Sequence, residues 1–154
     1  MAKARRALIY GIGGQDGSLL AVHLLARGYE VWGTSRDSQI SRFSTLQELG
    51  VKDSVTLLSM APNDFRSVLS ALTKSNADEV YFLAAQSSVG LSFEQPVETL
   101  ESITSGTLNL LEAIRFLERP IRIYHASSSE CFGELGHVPA TEETPFRPRS
   151  PYAV

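Results

Sequence analysis

The sequence predicts an α/β fold: a doubly wound sheet of parallel strands with helices on both faces. Three observations carry this expectation. A short apolar run ends in a turn with glycines at positions 11, 14 and 17 and passes straight into a helical pattern. Further strand-like runs follow at 29–34, 54–58, 77–85 and 121–126, and helical patterns separate most of them; that alternation is the mark of strand–helix–strand units. The run 77–85 is nearly continuous in apolar residues rather than alternating, as a strand covered on both faces requires.

Composition narrows the class. The chain has 154 residues, 43% of them hydrophobic, enough for one well-packed domain over 1–154. Fourteen basic and seventeen acidic side chains leave a charge of −3 with no basic block, so no nucleic-acid partner is expected. The lone Cys131 allows no internal disulfide and fits a reducing, cytoplasmic location. Histidines at 23, 125 and 137 lack metal-ligand spacing, so no metal is expected. Met1–Arg6 is basic, but the apolar residues behind it are too few for a signal peptide, and no run of about eighteen apolar residues would cross a membrane.

Taken in order, Ala7–Tyr10 is the first strand. Gly11 makes the turn, Gly14 lets phosphates approach the backbone, and Gly17 lets the helix sit close on the sheet, the Rossmann-like way of placing a pyrophosphate at a helix N-terminus. The spacing is GxxGxxG with an extra Gly13, and no GxxxxGK[ST] pattern points to a triphosphate loop. A helix over 18–26 stops at Arg27-Gly28. The second strand, 29–34, ends where such folds meet the adenosine ribose. Arg36 stands there, which favours the 2′-phosphate of NADP, with NAD the alternative; Asp37 beside it counts against the phosphate.

Residues 38–50 are polar and then weakly helical, and 54–58 is the third strand. Asn63 or Asp64 caps a helix over Phe65, Val68, Leu69 and Leu72. After the strand 77–85, Gln86–Gly90 lies at a carboxyl end, where parallel sheets bind ligands. A long helix then presents Val97, Leu100, Ile103, Leu110, Ile114 and Leu117 on its apolar side, with Gly106 and Thr107 permitting close packing and Asn109 structural. The fifth strand, 121–126, leads into Ser127-Ser128-Ser129-Glu130. A long loop, 131–148, follows, and Ser150-Pro151 reads as a helix start. A helix that opens in the last residues cannot complete its turns, so a segment of a longer protein is expected.

The stretches GIGGQDGS (11–18), LAAQSSVGLSFEQP (83–96), GTLNLLEAIR (106–115), YHASSSECFG (124–133) and EETPFRPRSPYAV (142–154) resemble the GDP-mannose 4,6-dehydratase family of extended short-chain dehydrogenases/reductases. The likeness runs over essentially the whole chain but covers less than half of a family member. It implies a lyase that turns GDP-mannose, or a similar sugar nucleotide, into its 4-keto-6-deoxy form with NADP. It also implies a dimer or tetramer, with the last strands and the substrate domain beyond these residues. It gives Ser128 the hydrogen bond to the sugar 4-oxygen, Tyr152 the 4-hydroxyl proton and Glu130 the acid/base role in elimination. Gly11, Gly14, Gln15, Asp16 and Gly17 hold the cofactor pyrophosphate, and Arg36 selects NADP. Leu83, Ala84, Ala85 and Tyr152 border the nicotinamide, and Gln86, Ser87 and Ser88 face substrate.

Four positions depart from the family: Gly13 for threonine, Met60-Ala61 for a Gly-Asp pair, Ser88 for histidine and Asp37 for a second arginine. The family's lysine, which lowers the tyrosine pKa, would fall at position 156, so these 154 residues alone are expected to turn over little. The same residues leave two alternatives: a sugar-nucleotide 4-epimerase or reductase of this fold, or a non-catalytic nucleotide-binding remnant.

Overall fold

Among residues 4–154, which the computed structural model describes, five strands pair in parallel. They are β1 (Arg6–Tyr10), β2 (Glu30–Ser35), β3 (Val55–Ser59), β4 (Glu79–Phe82) and β5 (Arg122–His125), in the order β3-β2-β1-β4-β5. The basic opening Met1–Lys3 lies outside the described residues. The chain winds outward from β1 through β2 to β3, then crosses back to lay β4 and β5 on the other side. The order therefore reverses between β1 and β4, and a crevice for ligands opens there at the carboxyl ends.

The helices are α1 (Gln15–Ala26), α2 (Ser44–Glu48), α3 (Phe65–Ser75), α4 (Val89–Glu94), α5 (Pro96–Leu100) and α6 (Gly106–Leu117). None is long and apolar enough to cross a membrane among the described residues. They cover both faces because β1 is apolar on both. Leu8 and Tyr10 pack with Val80 and Phe82 against Val68 and Leu72 of α3 and Leu110 of α6. Ala7 and Ile9 pack with Val31 against Ala21 and Leu24 of α1 and Leu46 of α2. Leu8 and Ile9 are fully buried, each worth about 1.5–3 kcal/mol. Tyr10 is buried with no partner for its hydroxyl among the described residues, and burial raises its pKa.

Local signals act where the sequence places them. Gly28, at φ +77°, follows the end of α1. Asp64 caps α3, its Oδ1 accepting from Arg66 N at 3.0 Å. Asn109 Nδ2 donates to Pro62 O at 2.9 Å. At Gly106 a Cβ would lie 3.1 Å from Pro62 and 3.2 Å from the Phe82 ring, so this glycine sets the approach of α6.

Three expectations are corrected. Helix α1 begins at Gln15 rather than 18, because Gly14 is extended (φ −77°, ψ 171°) and serves as its N-cap. Strand β4 stops at Phe82, leaving Leu83–Ala85 free to line a cavity. The long helix is α5 and α6 joined by a π-helical turn, Glu101–Ser105, which shifts the phase of the apolar stripe; Val97 is 67% exposed.

Candidate active site

The turn after β1 is shaped by the absence of side chains. Gly11 has φ +79°, a region that L side chains rarely adopt, and a Cβ there would sit 3.0 Å from Leu83 O. A Cβ on Gly17 would strike Gly11 O and lie 2.8 Å from Ile12 Cα. Gly14 N donates to Gly11 O at 3.0 Å, and the buried Ser18 hydroxyl donates to Ile12 O at 2.9 Å. On the other flank Gly33 leaves room for Ile12, to whose Cβ an added Cβ would come within 2.6 Å. Above this packed base Gly13, Gly14, Gln15 and Asp16 are exposed. Helix α1 has no side-chain cap, so its free N–H groups and positive dipole end face the crevice. This cradle fits a pyrophosphate.

A cavity of about 540 Å³ lies at the carboxyl ends of β4 and β5 and reaches Asp16. One wall is Leu83–Ser87, another is His125–Ser128, and a third comes from the long loop with Phe146, Pro148 and Tyr152. Asp16, Leu83, Ala84, Ala85, Gln86, Ser87, Ser128 and Tyr152 meet around one space.

Tyr152 reaches this wall because the loop doubles back. Arg147 N donates to Cys131 O at 2.9 Å, the Phe132 and Phe146 rings lie 5.2 Å apart, and Arg149 pairs with Glu134 at 2.5 Å. Gly133, at φ +67°, has no room for a Cβ against Arg147 O. The buried Ser150 then turns the chain, its Oγ accepting from Ala153 N at 3.1 Å. Ser128 is fixed locally: its Oγ accepts from Glu130 N at 3.2 Å, which leaves the hydroxyl proton free to donate.

Other candidates stand elsewhere. Glu130 is exposed and is not among the lining residues, although its neighbour Cys131 is. Ser88 does not line the cavity either: its Oγ accepts from Leu91 N at 3.2 Å and caps α4. Arg36 is exposed and has no hydrogen bond or ion pair among the described residues. The neighbouring Asp37 is held in a turn, its Oδ1 accepting from Gln39 N at 2.9 Å and Ile40 N at 3.1 Å. The sequence reading missed His125, Ile103 and Phe146 in the cavity wall. For His125 the sequence carried no signal of this: its place follows from its register with Phe82 across the sheet.

Residues 8–154 match the family model for GDP-mannose 4,6 dehydratase. The chain is similar to a GDP-mannose 4,6-dehydratase of Vibrio cholerae, 45% identical over 159 residues that cover 97% of this chain and 42% of that protein. It thus spans less than half the length of such curated relatives. A Thermus thermophilus UDP-glucose 4-epimerase, solved in complex with NAD, superposes with a TM-score of 0.82 at 33% identity, over 96% of this chain and 46% of that one. A dTDP-glucose 4,6-dehydratase from Streptomyces venezuelae, with NAD and TYD bound, gives 0.83 at 25% identity, over 96% and 47%. Both structures contain NAD, and this overturns the expectation, drawn from Arg36, of an NADP-dependent enzyme. The geometry supplies the reason: a fixed carboxylate beside Arg36 opposes a 2′-phosphate. With its dinucleotide-binding sheet, its glycine cradle and a match that runs from β1 through Tyr152, the chain belongs to the GDP-mannose 4,6-dehydratase family.

Proposed function

We propose that these residues form the cofactor-binding and proton-handling part of an enzyme that converts GDP-mannose, or a closely similar sugar nucleotide, to its 4-keto-6-deoxy product with NAD. The observation that carries this reading is the meeting of Ser128 and Tyr152 in a cavity that opens onto the start of α1. The glycine cradle fits the pyrophosphate, and Asp37 suits the two ribose hydroxyls of NAD. NAD held by the cradle of Gly11, Gly14 and Gly17 would supply the hydride chemistry that oxidises C4 and later reduces C6. Tyr152, as phenolate, removes the 4-hydroxyl proton. Ser128 donates its uncommitted hydroxyl proton to the 4-oxygen and steadies the charge that develops there. The ketone at C4 acidifies the C5 hydrogen; Glu130 removes it and helps expel the 6-hydroxyl as water.

Incubation of the intact protein with GDP-mannose and NAD tests this. The expected product is lighter by one water and carries a ketone. Glu130→Gln should still oxidise C4 but lose elimination; equal loss of both steps would sink the role given to Glu130. A 4-epimerase is the second reading, favoured by Glu130 standing outside the cavity wall. It needs only Ser128 and Tyr152, and it predicts a product of unchanged mass.

A further inference from the structure

The helical segment behind the cavity is widened where it passes the strand ends. Its π-helical turn, Glu101–Ser105, joins α5 and α6 without a break: Leu100 (φ −63°, ψ −42°) and Gly106 (φ −61°, ψ −45°) on either side are helical. Such turns are rare and recur at functional sites. Here three hydroxyls along this segment reach the cavity walls. Thr99 Oγ1 accepts from Gln86 Nε2 at 3.0 Å. Ser102 Oγ accepts from Gln86 N at 3.4 Å. Thr107 Oγ1 lies 3.0 Å from His125 Nε2.

Each hydroxyl spends its own proton on a carbonyl of the helical segment. Thr99 donates to Gln95 O at 2.8 Å, Ser102 to Thr99 O at 2.9 Å and Thr107 to Ile103 O at 2.7 Å. Toward the walls they can therefore only accept, and this fixes the polarity of the groups they meet. Gln86 must turn its amide nitrogen to Thr99, which leaves its oxygen for Ser88 N. His125 must present an Nε2–H to Thr107, so Nδ1 carries the lone pair in the neutral ring. The ring is also stacked on Phe82, with centroids 5.1 Å apart and planes 9° from parallel. The widened turn makes this geometry attainable. A regular α-helix advances about 100° per residue, so eight residues would leave Thr107 about 80° around the axis from Thr99. The wider turn advances less per residue and takes up part of that offset.

We infer that Thr99, Ser102 and Thr107 are positioning residues that brace two walls of the cavity against one helical segment. They set Gln86 on one wall of the cavity against His125–Ser128 on the other. The effect on turnover rests on the function proposed above, whereas the His125 tautomer does not. The test compares Thr107→Val with Thr107→Ser in the intact protein. Nitrogen-15 spectra of the histidines should show His125 as the Nε2–H tautomer in the wild type and in Thr107→Ser, with that bias lost in Thr107→Val. Thr107→Val should lower kcat about tenfold or more with KM held within about twofold, and Thr107→Ser should restore it. An Nδ1–H tautomer in the wild type overturns the brace. So does a Thr107→Val protein whose kcat matches the wild type, or whose kcat loss is not recovered by serine. If the wild type turns over no sugar nucleotide while His125 keeps the Nε2–H tautomer, the proposed function falls and the brace stands.

Discussion

Ile12 is fully buried and Tyr124 is 57% exposed, yet both belong to segments that deliver site residues to the same edge of the sheet. The turn that contains Ile12 is held by close packing. Gly11, Gly17 and Gly33 each leave space that another atom fills, and the Ser18 hydroxyl closes the turn from beneath. The region that begins with Tyr124 is held by links from one stretch of loop to another: Ser128 to Glu130, Cys131 to Arg147, Glu134 to Arg149 and Ser150 to Ala153. The first arrangement cannot change without moving the core. The second can lose a functional group and keep its shape. The shape of the turn is thus set by core packing, and that of the loop by contacts within the loop itself.

Substitutions can break that contrast. Tyr152→Phe should lower turnover by about 10²–10⁴-fold while the urea midpoint moves by less than about 0.5 kcal/mol equivalent. A large stability loss in this variant would show that the loop is as tightly built as the turn. Gly17→Ala should cost about 2–3 kcal/mol in urea unfolding, because the added carbon meets backbone on both Gly11 and Ile12, and calorimetry should find NAD binding lost with it. Asp64→Ala, which removes the cap of α3, should cost about 1 kcal/mol and leave turnover unchanged.

The smallest effect concerns β4, an inner strand of the sheet. Burial, aided by a 2.8 Å hydrogen bond to Glu79, pushes the Tyr81 pKa up to about 12 from 10.0. The folded protein keeps a proton that the unfolded chain releases. Tyr81's contribution to stability is therefore fully present below pH 10 and declines as pH rises toward about 12. Absorbance titration of Tyr81→Phe should lose this late-ionising tyrosine; an unchanged curve would count against the assignment.

What the sequence makes legible follows the same division. The glycine turn could be read because a missing side chain is itself a local signal, and Gly11 and Gly17 mean the same thing in sequence and in space. The parallel sheet could be read because β1 shows apolar residues to both faces. Four features could not. Arg36 announces a positive charge, but only the fold shows the Asp37 carboxylate pinned beside it by Gln39 and Ile40. Ser88 follows a strand, as a ligand-binding serine would, yet it caps a short helix and stays out of the cavity wall. The π-helical turn has no residue signature, so the apolar phase carried through Val97 and Leu100 points the wrong way. His125 took on its place in the cavity only through cross-strand register with Phe82.

The most direct measurement uses GDP-mannose carrying deuterium at C4, incubated with the intact protein and NAD. The proposed chemistry predicts a product that has lost one water and holds the deuterium at C6, the hydride leaving C4 and returning to C6 of the same sugar. A product of unchanged mass, with the deuterium still at C4 of an epimer, would contradict it.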